Sequence, residues 1–277
     1  MTNTKILVFA ATGNIGRHLV TFLRETGHAV RAVTRDPGAA RLPADVEIVP
    51  GDLADLATLD ACLAGIDAVF LLWPLRAGER FPAVLDLIAA RARRIVFLGT
   101  GGVPDLPFEE QDRLVHDCDI ESTVLRPSTF AVNTLWWADQ IRAGDVVRGA
   151  YGALPMSLIH EADMAAVAAR ALTGPGHDGA TYALTGPEVL TQAEQVRVIG
   201  EVLGRPLRWA ELSRDQARQR LLADETFPDS FVDVLLDGYA AMLAGPPPAL
   251  TSTVEEVIGV PPRSLRQWVA DHIDDFR

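Results

Sequence analysis

The stretch Ile6-Leu7-Val8-Phe9-Ala10-Ala11-Thr12-Gly13-Asn14-Ile15-Gly16-Arg17 runs from an apolar segment through a glycine turn into an amphipathic segment. This order predicts a strand, a tight turn and a helix, which together form the start of a dinucleotide-binding site. Gly13 leaves the N–H groups at the helix start open to a pyrophosphate, in a turn that we expect to need a positive φ. Gly16 lets the helix pack closely on the strand, and Ala10 stands where such a turn usually has its first glycine. The alternative is a strand, turn and helix that bind no ligand.

The end of the second predicted strand, Ala29 to Val33, indicates which dinucleotide is bound. It continues as Thr34-Arg35-Asp36-Pro37. An acid at this place accepts hydrogen bonds from the ribose 2′-hydroxyl of NAD, whereas a 2′-phosphate needs a cation. Arg35 comes first, which favours NADP(H) over NAD(H), with Thr34 as a further hydroxyl donor. The alternative is that Asp36 binds the ribose and that Arg35 is a solvated surface charge.

The order of predicted elements indicates an α/β fold, a doubly wound parallel Rossmann sheet. Further strands are predicted at Val46 to Val49, Ala68 to Leu72, Arg94 to Leu98 and Ser122 to Leu125, with helices over Arg17 to Thr26, Phe81 to Arg91 and about Glu109 to His116. We expect residues 1–150 to form the NAD(P)-binding domain, joined by a returning strand near residues 180–185. Residues 151–277 are expected to form a smaller, mainly helical C-terminal lobe that caps the substrate. In that lobe Thr191 is predicted to cap a helix that ends at Leu203, before Gly204.

Composition excludes several classes of partner. The formal net charge of −12 argues against nucleic acid and against anionic membrane surfaces. Cys62 and Cys118 lie far apart without metal-ligand spacing, so we predict neither a disulfide framework nor a metal site. The first strand begins within a few residues of the N-terminus and no apolar run is long enough to span a bilayer, so we expect a cytoplasmic protein. Monomer and homodimer both remain open.

Ligands of open α/β sheets bind beyond the carboxyl ends of the strands, so residues that directly follow strands are candidates for the site. For the dinucleotide these are Ala10, Thr12, Gly13, Asn14, Ile15, Gly16, Thr34, Arg35, Asp52, Leu53, Leu72, Trp73, Gly99 and Thr100. Asp52 is expected near the adenine edge, with a helix N-cap as its alternative role. Candidate walls of a substrate pocket are Trp73, Phe130, Asn133, Trp136, Trp137, Tyr151 and Met156. Packing in a core is an equal alternative for the aromatic residues among them.

Several motifs together identify a family. They are Ala11 to Gly16, Thr34 to Pro37, Gly51 to Leu53, Thr123 to Pro127 with Phe130 and Asn133, Ile159 to Asp163, and Tyr182 to Pro187. With these motifs the chain resembles, over nearly its whole length, the NmrA-like group of atypical short-chain dehydrogenases/reductases. The resemblance implies an NADP(H)-binding Rossmann domain and a small C-terminal lobe. It also implies one of two functions, a reductase of quinones, dyes or similar acceptors, or a redox-sensing binding protein without turnover.

The chain lacks the usual proton-donating pair of short-chain dehydrogenases, a tyrosine whose pKa is lowered by a lysine four residues later. Its only lysine is Lys5, at the start of the first strand, and none of its three tyrosines is followed by lysine at that spacing. Lysine-assisted proton transfer is therefore excluded. Hydride acceptors with stabilised products, such as quinones, cationic dyes, iminium ions and other conjugated molecules, suit such a site because binding geometry then carries most of the catalysis.

Three candidate catalytic residues and three functions follow. His160, Tyr151 and Ser128 are the polar candidates, and His160 is either a proton donor near neutral pH or a structural residue before a helix. The first function is an NADPH-dependent reductase of a quinone-like, iminium or other conjugated aromatic small molecule. The second is a non-catalytic NADP(H)-binding redox sensor that signals through a partner. The third is a lyase or isomerase that uses His160 as base.

Overall fold

A computed structural model of the protein describes residues 4–75, 77–99, 101, 103, 105–224 and 227–277. The chain divides into two compact units. Unit 1 contains Met1–Pro127, Glu161–Leu184 and Ser252–Val260, and unit 2 contains Ser128–His160, Thr185–Thr251 and Pro261–Arg277. Within the described ranges, no helix combines the length and the apolar character that crossing a membrane requires.

Unit 1 is built on a sheet of seven parallel strands. These are β1 (Lys5–Val8), β2 (Ala29–Thr34), β3 (Glu47–Pro50), β4 (Ala68–Leu72), β5 (Arg94–Leu98), β6 (Glu121–Pro127) and β10 (Ala180–Leu184), in the spatial order β10-β6-β5-β4-β1-β2-β3. The flanking helices are α1 (Asn14–Glu25), α2 (Leu59–Leu63), α3 (Phe81–Ala89), α4 (Phe108–His116), α6 (Glu161–Thr173) and α10 (Thr253–Ile258). The predicted Rossmann fold is confirmed, and strand order reverses at β1, where such sheets bind their ligands.

The central strands are apolar along their whole length because helices cover a parallel sheet on both faces. Ile6, Leu7 and Val8 of β1 are completely buried. On one face, Phe81 of α3 packs against Phe97 of β5 with ring centroids 5.2 Å apart. This rigid core holds the ends of the strands, and therefore the candidate cofactor residues, in place.

Unit 2 contains two small sheets as well as helices. Its strands are β7 (Thr129–Phe130), β8 (Val146–Gly149), β9 (Pro155–Ile159), β11 (Val189–Thr191) and β12 (Arg208–Glu211), paired as β11-β9-β7 and β12-β8. Its helices are α5 (Ala138–Ala143), α7 (Gln192–Leu203), α8 (Arg214–Leu222), α9 (Asp229–Ala244) and α11 (Leu265–Asp271). One core of this unit surrounds Trp268, which is completely buried.

The division into units differs from the boundary expected at residue 150. Residues 128–160 belong to unit 2 because β7 pairs with β9, and β9 pairs with the later strand β11. Residues 161–184 and 252–260 return to unit 1, where α6 packs beside α1 and α10 packs beside α6. These pairings join segments that are distant along the chain, so local sequence patterns do not show them.

Local signals were sufficient for α7. Thr191 accepts a hydrogen bond from the N–H of Glu194, and the Glu194 carboxylate accepts one from the N–H of Thr191 in return. Such a capping box satisfies two N–H groups that a helix start otherwise leaves unpaired. The helix ends as predicted at Gly204, whose φ of 71° is left-handed.

Gly16 lies where α1 approaches β1 most closely, and we expect Gly16→Ala to destabilise unit 1. An added Cβ would lie 2.2 Å from the Ala10 oxygen and 2.7 Å from the Ala11 Cα, both of which are backbone atoms. The strand and helix would have to separate, so the free energy of unfolding should fall by about 2 kcal/mol.

Gly238→Ala is the matched control, because Gly238 is also inside a helix but has no atom near its missing Cβ. There the higher helix propensity of alanine should raise the free energy of unfolding by about 0.5–1 kcal/mol. Urea denaturation of both variants measures the two effects. Equal effects would contradict the close approach at Gly16.

Candidate functional site

The glycine turn presents the start of α1 to a ligand. No side chain caps this helix, so the N–H groups of its first turn are left for an anion. Gly13 has a φ of −77°, so the positive φ expected there is wrong. The left-handed residue is Ala10, with a φ of 53°, and its oxygen accepts a hydrogen bond from Gly13 N–H at 3.0 Å. An alanine in this conformation costs about 1 kcal/mol relative to an ordinary one.

A cavity in unit 1 lies at the carboxyl ends of β1, β2, β3 and β4, and we call it the nucleotide cavity. The predicted residues on its lining are Ala10, Thr12, Gly13, Thr34, Arg35, Asp52, Leu53 and Leu72. Pro74 also lines it, and sequence reasoning missed Phe9, Val33, Gly51 and Leu75, which adjoin the predicted residues at the same strand ends. Position after a strand therefore identifies residues on the lining of this cavity, and their contacts with a cofactor stay a prediction.

The remaining predicted cofactor residues do not line this cavity. Asn14, Ile15 and Gly16 form the first turn of α1, where their backbone is the part that bears on an anion. Gly99 is buried at the end of β5, and an added Cβ there would lie 1.5 Å from the Arg126 guanidinium. Thr100 lies outside the described residues.

Trp73 packs inside unit 1. Its ring makes an edge contact with Phe81 at 5.0 Å between centroids, and its Nε1 donates a hydrogen bond to the Ala77 oxygen at 3.2 Å. The side chain is 7% exposed, so the core alternative describes it better than a role as a pocket wall.

The two charges that follow β2 have different surroundings. Asp36 Oδ1 accepts hydrogen bonds from the N–H groups of Gly38 and Ala39, at 3.0 and 3.2 Å, and so caps the short helical turn that follows. Arg35 is exposed, lines the nucleotide cavity and has no ion pair among the described residues. The Asp36 carboxylate therefore already accepts hydrogen bonds from the backbone, whereas the Arg35 guanidinium is available to a ligand.

Asp52 is not the helix N-cap that was its alternative role, because Asp55 caps the short helix that follows, and its place near adenine stays a prediction. Its Oδ1 accepts a hydrogen bond from the N–H of Ala54 at 2.9 Å, and its backbone N–H donates to Thr58 Oγ1 at 3.0 Å. The residue nevertheless lines the nucleotide cavity and is partly exposed. One carboxylate oxygen thus holds the turn while the residue faces the cavity.

The three polar candidates for catalysis all belong to unit 2 and all have partners there. Ser128 Oγ donates a hydrogen bond to the Ser157 oxygen at 2.8 Å. The backbone of Tyr151 is left-handed, with a φ of 63°, and its N–H donates a hydrogen bond to Glu211 Oε1 at 2.6 Å. His160 is 2% exposed, and its Nε2 lies 3.4 Å from Asp271 Oδ2. These contacts suit structural roles, and catalysis by these residues remains a prediction.

A second cavity, within unit 2, is walled by aromatic rings, and we call it the aromatic cavity. Two predicted residues, Trp136 and Trp137, line it. Trp136 meets Phe227 edge to face with centroids 5.3 Å apart, and Trp137 meets Trp209 in the same way at 5.6 Å. The predicted residues Phe130, Asn133, Tyr151 and Met156 do not line it. Trp209 and Phe227, with Tyr239 on α9, were missed because they lie far along the chain from Trp136.

Comparison with known proteins identifies the class. The profile of the NAD(P)H-binding family matches residues 10–175, which is more than half of the chain. The chain therefore belongs to this NAD(P)H-binding family, and its assignment to the atypical, NmrA-like short-chain dehydrogenases/reductases is confirmed.

Named relatives cover the whole chain. The (4-alkanoyl-5-oxo-2,5-dihydrofuran-3-yl)methyl phosphate reductase of Streptomyces griseus is 38% identical, over 98% of this chain and 99% of that protein. The NAD(P)H azoreductase of Xenophilus azovorans is 32% identical, with the same coverage. The crystal structure of an NADPH-dependent quinone oxidoreductase from Escherichia coli superposes with a TM-score of 0.81 at 25% identity, covering 97% of this chain and 99% of that one.

Arg35→Ala should remove the preference for the phosphorylated cofactor. With Arg35 free to bind a 2′-phosphate, NADPH should bind at least about tenfold more tightly than NADH to the unchanged protein. The variant should bind both with similar affinity. Asp36→Ser, which keeps a capping oxygen, is the control and should leave the ratio unchanged. Fluorescence titration with each cofactor gives the ratio, and equal affinities in the unchanged protein would refute the role of Arg35.

Gly13→Val should abolish dinucleotide binding in a folded protein. The φ of −77° is open to any residue, and an added Cβ would meet only the Ala10 oxygen within 4 Å, at 3.2 Å. The larger side chain would instead project over the helix start, where the pyrophosphate approaches the backbone. Circular dichroism checks the fold and titration with NADPH checks binding. Undiminished binding would show that the dinucleotide is held elsewhere.

Proposed function

We propose that the protein is an NADPH-dependent reductase that transfers hydride to a conjugated small molecule, such as a quinone or an enone, without a tyrosine–lysine pair. The family assignment and the two named reductases support reductase chemistry. The name of the Streptomyces relative describes a substrate whose ring double bond lies beside an oxo group and an alkanoyl group. The observation that carries the proposal is that the nucleotide cavity is lined by Arg35, which makes no ion pair among the described residues, and by no lysine.

Arg35 supports NADPH as the hydride source. Its exposed guanidinium can form paired hydrogen bonds with the 2′-phosphate, with Thr34 beside it on the cavity wall. The N–H groups at the start of α1 would hold the pyrophosphate. Leu53 and Leu72 add apolar surface to the cavity. When bound there, NADPH supplies a hydride to an electron-poor carbon or nitrogen.

Lys5 cannot serve as the lysine of a proton-donating pair. It lies at the amino end of β1, whereas the nucleotide cavity lies at the carboxyl ends, and its Nζ is ion-paired with Glu47 at 2.9 Å. The pKa values of Tyr182 and Tyr239 change in the direction opposite to activation. Burial raises the pKa of Tyr182, and raises that of Tyr239 to about 12.

The acceptor must therefore stabilise its own product. Simple ketones give an alkoxide, which needs an acid close by, whereas quinones and enones give delocalised anions that take a proton from water. We propose that unit 2 binds the substrate, because the aromatic cavity offers faces on which a flat conjugated molecule can stack.

A panel of acceptors tests the reductase. With NADPH, menadione and an electron-poor enone should be reduced, whereas acetophenone and benzaldehyde should react at least about a hundredfold more slowly, because no acid protonates their oxygen. Loss of NADPH absorbance gives the rates. Lys5→Gln is the control, and its kcat for menadione should change less than twofold.

Two results would contradict the proposal. Rapid reduction of acetophenone would show that a strong general acid exists. Saturable NADPH binding with no oxidation by any acceptor would reject the reductase in favour of the redox sensor.

A further inference from the structure

Two arginines face the aromatic cavity without a carboxylate partner. Arg148 on β8 and Arg220 on α8 both line it, and neither makes an ion pair within the part of the chain that the structure describes. Arg214 and Arg218, on the same helix as Arg220, both pair with Asp233. The chain has 37 acidic residues and 25 lysines and arginines, so carboxylates are abundant. Arg148 and Arg220 remain unpaired where a ligand could reach them.

Two carboxylates share the lining with Arg148 and Arg220. Asp139 lines the cavity but forms an ion pair with Arg142. Asp224, at the end of α8, also lines it. The lining therefore carries two positive and two negative side chains, and one of the two carboxylates is neutralised by Arg142, which lies outside the lining. In a chain whose net charge is −12, an anion meets less repulsion at this neutral lining than the overall charge would suggest.

Tyr239 adds a hydrogen-bond donor among the apolar walls. Its hydroxyl makes no hydrogen bond among the described residues, and the side chain lines the cavity from α9. Since burial raises its pKa to about 12, the hydroxyl keeps its proton at neutral pH. A hydroxyl on the wall of a cavity can donate this hydrogen bond to an acceptor atom of a ligand.

We propose that the substrate is an amphipathic organic anion. Its apolar body fills the aromatic cavity, its phosphate, carboxylate or sulfonate group is bound by Arg148 and Arg220, and the Tyr239 hydroxyl donates a further hydrogen bond. The identification of this ligand as the substrate rests on the proposed function, whereas the binding of the ligand in the aromatic cavity does not.

Binding is tested without turnover by octyl phosphate, octanoate and octanol, followed by tryptophan fluorescence. Three of the five tryptophans line the cavity, so an occupied cavity changes the emission. Octyl phosphate should bind at least about tenfold more tightly than octanol. The double variant Arg148→Gln, Arg220→Gln should reduce that preference to within about twofold. Octanoate shows whether a carboxylate is sufficient for binding. If octanoate binds more tightly than octanol, and the double variant loses that difference, the carboxylate binds at the same site as the phosphate.

Two variants serve as comparisons. Arg170→Gln removes an exposed arginine of unit 1 and should leave all three affinities unchanged. Tyr239→Phe keeps the ring and removes the donor, and should weaken octyl phosphate about threefold or more. Equal binding of octanol and octyl phosphate, or unchanged binding in the double variant, overturns the proposal.

Kinetics separates this inference from the proposed function. The KM for 1,4-naphthoquinone-2-sulfonate should rise at least about tenfold in the double variant, while the KM for neutral 1,4-naphthoquinone stays within about twofold. If both quinones are reduced but their KM ratio does not change, the inference fails and the reductase stands. If neither is reduced but octyl phosphate binding depends on the two arginines, the reductase fails and the anion site stands.

Discussion

The contact between α1 and the turn after β1 is the constraint on which the nucleotide cavity depends. Gly16 brings the helix so close to the backbone of Ala10 and Ala11 that no Cβ fits between them. That closeness holds the uncapped start of α1 beside the point where strand order reverses. In the same turn the backbone of Ala10 is left-handed, a conformation that is unfavourable for alanine. The geometry of this turn therefore outweighs the backbone preference of the residue.

The arginines of this protein differ in whether they form an ion pair with a carboxylate. Most arginines of this acidic chain are tied to aspartates or glutamates at the surface, and such exposed pairs add little stability. Arg35 in unit 1, and Arg148 and Arg220 in unit 2, make no ion pair among the described residues, and they line the nucleotide cavity and the aromatic cavity respectively. An unpaired guanidinium at a cavity offers a ligand its full set of donors. These are the positions at which we propose that anionic groups bind.

The position of the single lysine limits the chemistry. Lys5 is bound to Glu47 at the amino end of the sheet, so no ammonium group acidifies a tyrosine near the cofactor. In the reductase that we propose, the reaction is left to acceptors that delocalise the negative charge they receive. Stacking and orientation by aromatic walls would then contribute more to the rate than proton transfer does.

Sequence alone determined the features that depend on neighbouring residues. Four features could be predicted from the sequence: the glycine turn, the strands of the Rossmann sheet, the helix cap at Thr191 and the cation after β2. Each of them depends on the backbone conformation and hydrogen bonding of a few consecutive residues. The same reasoning assigned Gly13 a positive φ, since it identified a strained turn without showing that Ala10 carries the strain.

Only the tertiary structure decided which distant segments meet. It placed residues 128–160 in unit 2, Trp73 in the core, and Trp136 beside Phe227. It also showed that the Asp36 carboxylate accepts hydrogen bonds from backbone N–H groups, whereas Arg35 makes no ion pair with any described residue, which the order of the two residues could not reveal. The physical reason is that strand pairing, burial and charge neutralisation join residues remote in sequence, whereas turns and caps are satisfied within a few residues.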